Sequence, residues 1–237
     1  MGRFVKHLAV IVGVLAVTAT PAWAVFLDFG IIAPTTGTLS YAGGIAPFVG
    51  TNITVDNVVA LGGASINDGV VRNLIGGDLD FTTGAYIGDG TNWIFGPGGS
   101  ITITGGVDLN NDGDVLDAED VPAGTILLSG TFTSPTTIST AGPSLRIIGS
   151  GGFNDIKDDE LAAFYGLSGT GFGFGWQGGF GLGFLSTAAS GSSFSSSIPT
   201  SGDLVNFPIV PEPSSMLLMG LGLIGGIGGS RRKLFRL

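Results

Sequence analysis

Along the middle of the chain, apolar residues fall in short runs separated by Gly, Pro or Asn-Asp-Gly, the rhythm of strands and turns. The runs predict strands over residues 25–32, 53–60, 92–95, 100–104, 125–133, 145–148 and 172–184. Turn signals stand at Asn67-Asp68-Gly69 and Gly88-Asp89-Gly90, and Ile101-Thr102-Ile103-Thr104 alternates as a half-buried strand does. A single helical pattern breaks this rhythm. Asp158 and Asp159 can cap a turn that runs through residues 160–165 and stops at Gly166. Strands so outnumber this helix that the pattern predicts an all-β domain over residues 25–205, an antiparallel β-sandwich of jelly-roll type with one short helix. No repeat of fixed period is present.

Residues 171–184 have a period of two. Phe172, Phe174, Trp176, Phe180, Leu182 and Phe184 occupy even positions, while Gly171, Gly173, Gly175, Gly179, Gly181 and Gly183 occupy odd ones. As a strand this segment buries one aromatic face and leaves the other as bare backbone. The pattern alone admits a core strand, a self-associating Gly-aromatic segment, or an aromatic platform for sugar rings. Residues 186–201 are rich in Ser and Gly, and residues 203–210 can form a last strand and tether.

Both ends of the chain differ from this middle. Residues 1–7 carry Arg3 and Lys6, residues 8–17 are apolar apart from Gly13, and Ala22 and Ala24 flank Trp23. These are the three parts of a secretory signal peptide, with cleavage expected after Ala24 so that the mature chain starts at Val25. Near the other end, Val210-Pro211-Glu212-Pro213 precedes Ser214-Ser215, an apolar run over residues 216–229, and a tail with Arg231, Arg232, Lys233 and Arg236. As a helix that run is about 21 Å long, a short transmembrane segment loosened by its glycines. The basic tail belongs on the cytoplasmic side, which places the preceding chain across the membrane, as the signal peptide also requires.

This order of parts closely resembles the PEP-CTERM sorting signal of Gram-negative bacterial surface proteins. The resemblance covers about 27 residues. It implies processing by an exosortase, a membrane transpeptidase-like enzyme that recognises the Pro-Glu-Pro region, removes the tail, and releases the protein or attaches it at the surface. Two prolines suit such a cleft, because they hold the segment extended and free of ladder hydrogen bonds. The expected organisation is a signal peptide at 1–24, a secreted β domain at 25–205, a linker with the Pro-Glu-Pro motif at 206–213, and the sorting helix with its basic tail at 214–237.

Composition narrows what the domain can do. Gly contributes 44 of 237 residues. Residues 25–209 hold three basic side chains, Arg72, Arg146 and Lys157, against 17 acidic ones, a balance that repels nucleic acid. There is no Cys, and His7 is the single His, inside the expected signal peptide. The mature domain therefore cannot build a Ser-His-Asp or Cys-His nucleophile, a His or Cys zinc site, a haem ligand or a disulfide. A carboxylate-only hydrolase would need two acids across a cleft, and Asp78 and Asp80 read more simply as turn chemistry beside Gly77. No catalytic function is expected.

One segment carries chemistry. Residues 108–119 match D-x-[DN]-x-[DN]-G-x5-E at every specified position, the EF-hand calcium loop pattern. Asp108, Asn110 and Asp112 would converge on a Ca2+ ion, Gly113 would make the sharp turn, Asp114 would offer its carbonyl, and Glu119 would close the site with two oxygens. Leu116 stands where a water-bridging polar side chain is usual, and strands rather than helices flank the loop. The loop is thus EF-hand-like or dockerin-like, inserted between two strands, and its cation would stiffen that connection. The simpler alternative is a solvated acidic turn.

Together these features predict an exported, non-enzymatic protein of the cell surface or extracellular matrix, stiffened by calcium. Its partners during export would be signal peptidase and exosortase, and the resemblance adds an association with exopolysaccharide and biofilm. The alternative is a calcium-dependent carbohydrate-binding module that stacks Trp93, Trp176 or Tyr86 on sugar rings.

Overall fold

The structure is a computed structural model that describes residues 25–90, 92–140, 142, 145–167 and 175–208. The expected signal peptide with Ala22 and Ala24, the motif Val210-Pro211-Glu212-Pro213, the sorting helix, and Phe172 and Phe174 lie outside the described residues. No helix among the described residues is long and apolar enough to cross a membrane.

Among the described residues, thirteen strands and one helix follow one another: β1 (Phe26–Ile31), β2 (Thr38–Tyr41), β3 (Pro47–Thr54), β4 (Asn57–Leu61), β5 (Arg72–Ala85), β6 (Trp93–Phe95), β7 (Ser100–Val107), β8 (Val121–Phe132), β9 (Thr136–Thr140), β10 (Leu145–Lys157), α1 (Asp159–Phe164), β11 (Trp176–Leu185), β12 (Phe194–Ser196) and β13 (Pro199–Pro208). Every pairing is antiparallel. Eight strands close on themselves in the order β5-β4-β1-β13-β11-β10-β8-β7, with β7 pairing back onto β5. β3, β2 and β12 extend from the free stretch of β5, while β9 and β6 extend from β10.

The all-β class and the short helix thus agree with the sequence, but the expected jelly-roll sandwich gives way to an eight-stranded barrel. Bends in the long strands provide the reason. Ladder registers shift between Ile75 and Asp78 on β5, between Gly105 and Val107 on β7, and between Ile148 and Gly151 on β10. Bulges of this kind increase local twist and curl a sheet until its edges meet. The length of β5 completes the closure: Arg72 and Asn73 pair with β4, and Asp78 to Ala85 pair with β3 on the same side.

Alternation decides which side chains fill the barrel. Leu27, Phe29 and Ile31 of β1 are buried, as are Trp176, Phe180, Leu182 and Phe184 of β11. The described part of the Gly-aromatic segment is therefore a core strand. Phe48, Phe81, Phe132, Phe153, Phe180, Phe184 and Phe194 form a chain of ring contacts with centroids 5.1–6.3 Å apart. Each buried ring contributes about 1.5–3 kcal/mol through its withdrawal from water. At the helix, Asp158 accepts from the amides of Glu160 and Leu161 and so caps α1, and the Tyr165 hydroxyl reaches the carbonyls of Val58 and Val70 at 3.0 and 2.8 Å.

Candidate metal centre

The acidic loop joins β7 to β8 along residues 108–120. Leu109 and Val115 are buried and pin it to the barrel, while Leu116 is 87% exposed. A tight turn lies between those anchors, with Asn111 at φ 66° and Gly113 at φ 103°, backbone angles that favour Asn and Gly. Asp108 organises that turn from below: its Oδ1 accepts the amides of Asn111 and Asp112 at 2.5 and 3.1 Å, and its Oδ2 accepts the amide of Gly113 at 2.9 Å.

Asp108, Asp112 and Asp120 each place a carboxylate oxygen within 4.8 Å of the other two. Asn110 lies beside them, donating through Nδ2 to Asp112 at 3.2 Å and to Asp117 at 3.0 Å. Asp114 accepts the amide of Leu116 at 2.8 Å, and Glu119 is exposed, its amide donating to Asp117. Of the residues expected from the sequence motif, the structure therefore gathers Asp108 and Asp112 with Asn110 alongside. Asp120, one residue beyond the motif, supplies the third carboxylate, and Asp117 stands against it.

Asp120 distinguishes this cluster from an ordinary acidic turn. It is only 2% exposed; its Oδ1 accepts the amides of Leu109 and Asn110, and its Oδ2 has no hydrogen-bond partner among the described residues. A buried carboxylate oxygen left bare is costly. The Glu119 amide pulls the Asp117 pKa down, but burial and the Asp120 and Asp112 carboxylates outweigh it and leave Asp117 above its ordinary range. Two facing carboxylates are both acceptors, so only a proton or a cation can join them. An all-oxygen donor set with one bare buried oxygen fits a hard divalent cation, and Ca2+ tolerates the irregular geometry better than Mg2+.

The aromatic side chains that could stack on sugars are committed elsewhere. Trp93 is 1% exposed and donates its indole N–H to the Ser192 carbonyl, and Trp176 is 7% exposed. Tyr86 is half-buried, stacks on Tyr41 at 5.3 Å, and donates its hydroxyl to the Asn92 carbonyl. Trp93, Trp176 and Tyr86 therefore do not form the exposed aromatic platform that a carbohydrate-binding reading requires of them. Asp80, which could have formed half of a hydrolytic pair with Asp78, accepts the amide of Asn52 on the outer face of β5.

The described residues define a Cys-free antiparallel barrel with an acidic loop in which Asp108, Asp112 and Asp120 converge. Beyond the last strand, the chain carries a recognised sorting element: the model of the PEP-CTERM protein-sorting motif matches residues 210–233. That motif implies an exported chain that is processed by an exosortase. No curated protein and no solved structure matches this chain.

Proposed function

We propose that the mature barrel is a non-enzymatic component of the cell surface or extracellular matrix, associated with exopolysaccharide and biofilm and stiffened by Ca2+. The sorting motif at residues 210–233 carries the export half of this reading. A signal peptide cleaved between Ala24 and Val25 would start the route, and cleavage near Pro211-Glu212-Pro213 would finish it. Cells lacking exosortase activity should retain the protein in the inner membrane with its tail, and restored activity should move it to the surface. Retention in both strains would contradict the reading.

The bare Asp120 oxygen carries the calcium half. Ca2+ held by Asp108, Asp112 and Asp120, with Asp117 and Asn110 at its side, would satisfy that oxygen and lock the β7–β8 connection. An affinity on the order of 10⁻⁴ to 10⁻³ M suits a compartment rich in calcium. At ten times the dissociation constant, such binding adds about 1.4 kcal/mol to stability. For a domain of this size that shifts Tm by about 3–6 °C. A melting curve unchanged between millimolar Ca2+ and excess chelator would remove the calcium half and leave the export half intact.

A further inference from the structure

A second charged cluster lies inside the barrel, far in sequence from the acidic loop. The Lys157 and Asp155 side chains, both inward-facing on β10, are in contact and are 1% and 0% exposed. Lys157 Nζ also donates to Oδ1 of Asn206 on β13 at 3.2 Å, and Asn206 is fully buried. Apart from its contact with Lys157, the Asp155 carboxylate accepts no hydrogen bond among the described residues. Aromatic rings wall the cluster, with Nζ 5.2 Å from the centroid of Trp176 and Phe153 in the row beside it.

The backbone is shaped to allow this meeting. β11 runs between β10 and β13, and Gly178 is the residue paired with both Phe153 and Asn206. A Cβ at Gly178 would collide with Asn206 Oδ1 and the Phe153 ring, so glycine lets the β10 and β13 side chains approach over it. The result is a primary amine held against a carboxamide, with one carboxylate in reach, all excluded from water.

From this geometry we propose that Lys157 and Asn206 form an intramolecular isopeptide bond, with Asp155 as the proton carrier. In a dry, apolar site an ammonium beside a carboxylate passes a proton to it and becomes the neutral, nucleophilic amine. Burial does drive the Lys157 pKa well below the ordinary lysine range. The Nζ lone pair then bonds to Asn206 Cγ, and the carbonyl pair moves onto Oδ1. The second proton shed by Nζ travels through Asp155 to Nδ2. As the Oδ1 pair returns, the Cγ–Nδ2 bond breaks and NH3 leaves. One proton stays on Asp155, so a charged pair and a carboxamide become an amide, a carboxylic acid and ammonia. Holding the partners at contact distance supplies the effective concentration that the uncatalysed reaction lacks.

The link would staple β13 to β10 across β11. β13 ends at Pro208, two residues before the sorting motif begins, so this strand takes any pull applied through the C-terminal end. A chain without Cys has no disulfide for that purpose.

Peptide mapping of the protein purified from producing cells tests the link. The next basic residue after Lys157 is Arg231, so trypsin should separate the two partners by cutting at Lys157. The linked protein should resist that cut and yield one internally looped peptide that begins at residue 147 and is lighter by one NH3, with fragment ions joining Lys157 to Asn206. Asn206→Asp should link with loss of water instead, and Asp155→Asn should leave most chains unlinked. Folded protein that is cut at Lys157 into two peptides of encoded mass overturns the proposal, as does a mass deficit mapped to any other pair.

Discussion

At the residue scale, the acidic loop shows how far a motif reaches. Its alternation of Asp108, Asn110 and Asp112 ahead of Gly113 was legible because turn geometry and cation ligation demand the same residues at the same spacing. The carboxylate that joins Asp108 and Asp112 was not, because β8 follows the loop in place of a helix, and its start at Val121 draws Asp120 under the turn. At the proposed Ca2+ site, Asp120→Asn should weaken Ca2+ binding by about tenfold or more, whereas Glu119→Gln should change it little, both read by calorimetry. Because Asp117 keeps its proton to a somewhat higher pH than an ordinary carboxylate, the proposed Ca2+ site should weaken as pH falls through the acidic range where Asp117 protonates.

A different carboxylate makes a stability prediction of the opposite sense. Burial, and then the neighbouring Asp203, raise the Asp28 pKa. Its ionised form is thus penalised in the folded barrel. The penalty is absent below the unfolded-state value of about 3.9 and develops as pH rises through the higher folded-state value. Asp28→Asn should therefore raise Tm at pH 7 and leave it unchanged near pH 3, which thermal melts at the two pH values would check.

At the element scale, the strands with clean alternation and the capped helix were readable. β1, β6 and the start of β7 fall where the apolar runs put them, and α1 has the expected cap at Asp158. β5 was hidden by its own bend. Gly76-Gly77-Asp78 reads as a turn, yet Leu79 and Phe81 face inward between Asp78, Asp80 and Thr82, and the chain continues as one strand through a bulge. The run at residues 53–60 was misleading in the other direction, because Val55 and Asp56 lie between β3 and β4. The helix has its own test: Asp158→Ala removes the one carboxylate oxygen that accepts two amides and should cost about 1 kcal/mol of stability in a denaturant titration. Tyr165→Phe leaves the Val58 and Val70 carbonyls without their shared donor and should cost about 1–3 kcal/mol.

At the scale of the whole molecule, strand counting could not separate a sandwich from a barrel. Both bury alternate residues, and closure depends on bulges whose glycines look like turns in sequence. The C-terminal sorting motif was legible because it is linear: charge, greasy length and proline placement act on an extended chain before any fold exists. The proposed function follows the same division, with a sorting motif at residues 210–233 and a packed, Cys-free barrel ahead of it. Mass spectrometry of the protein recovered from exosortase-competent cells should find a first residue at Val25 and a last residue at or near Pro211-Glu212-Pro213. A full-length product with both ends intact, folded in the cytoplasm of those cells, would contradict it.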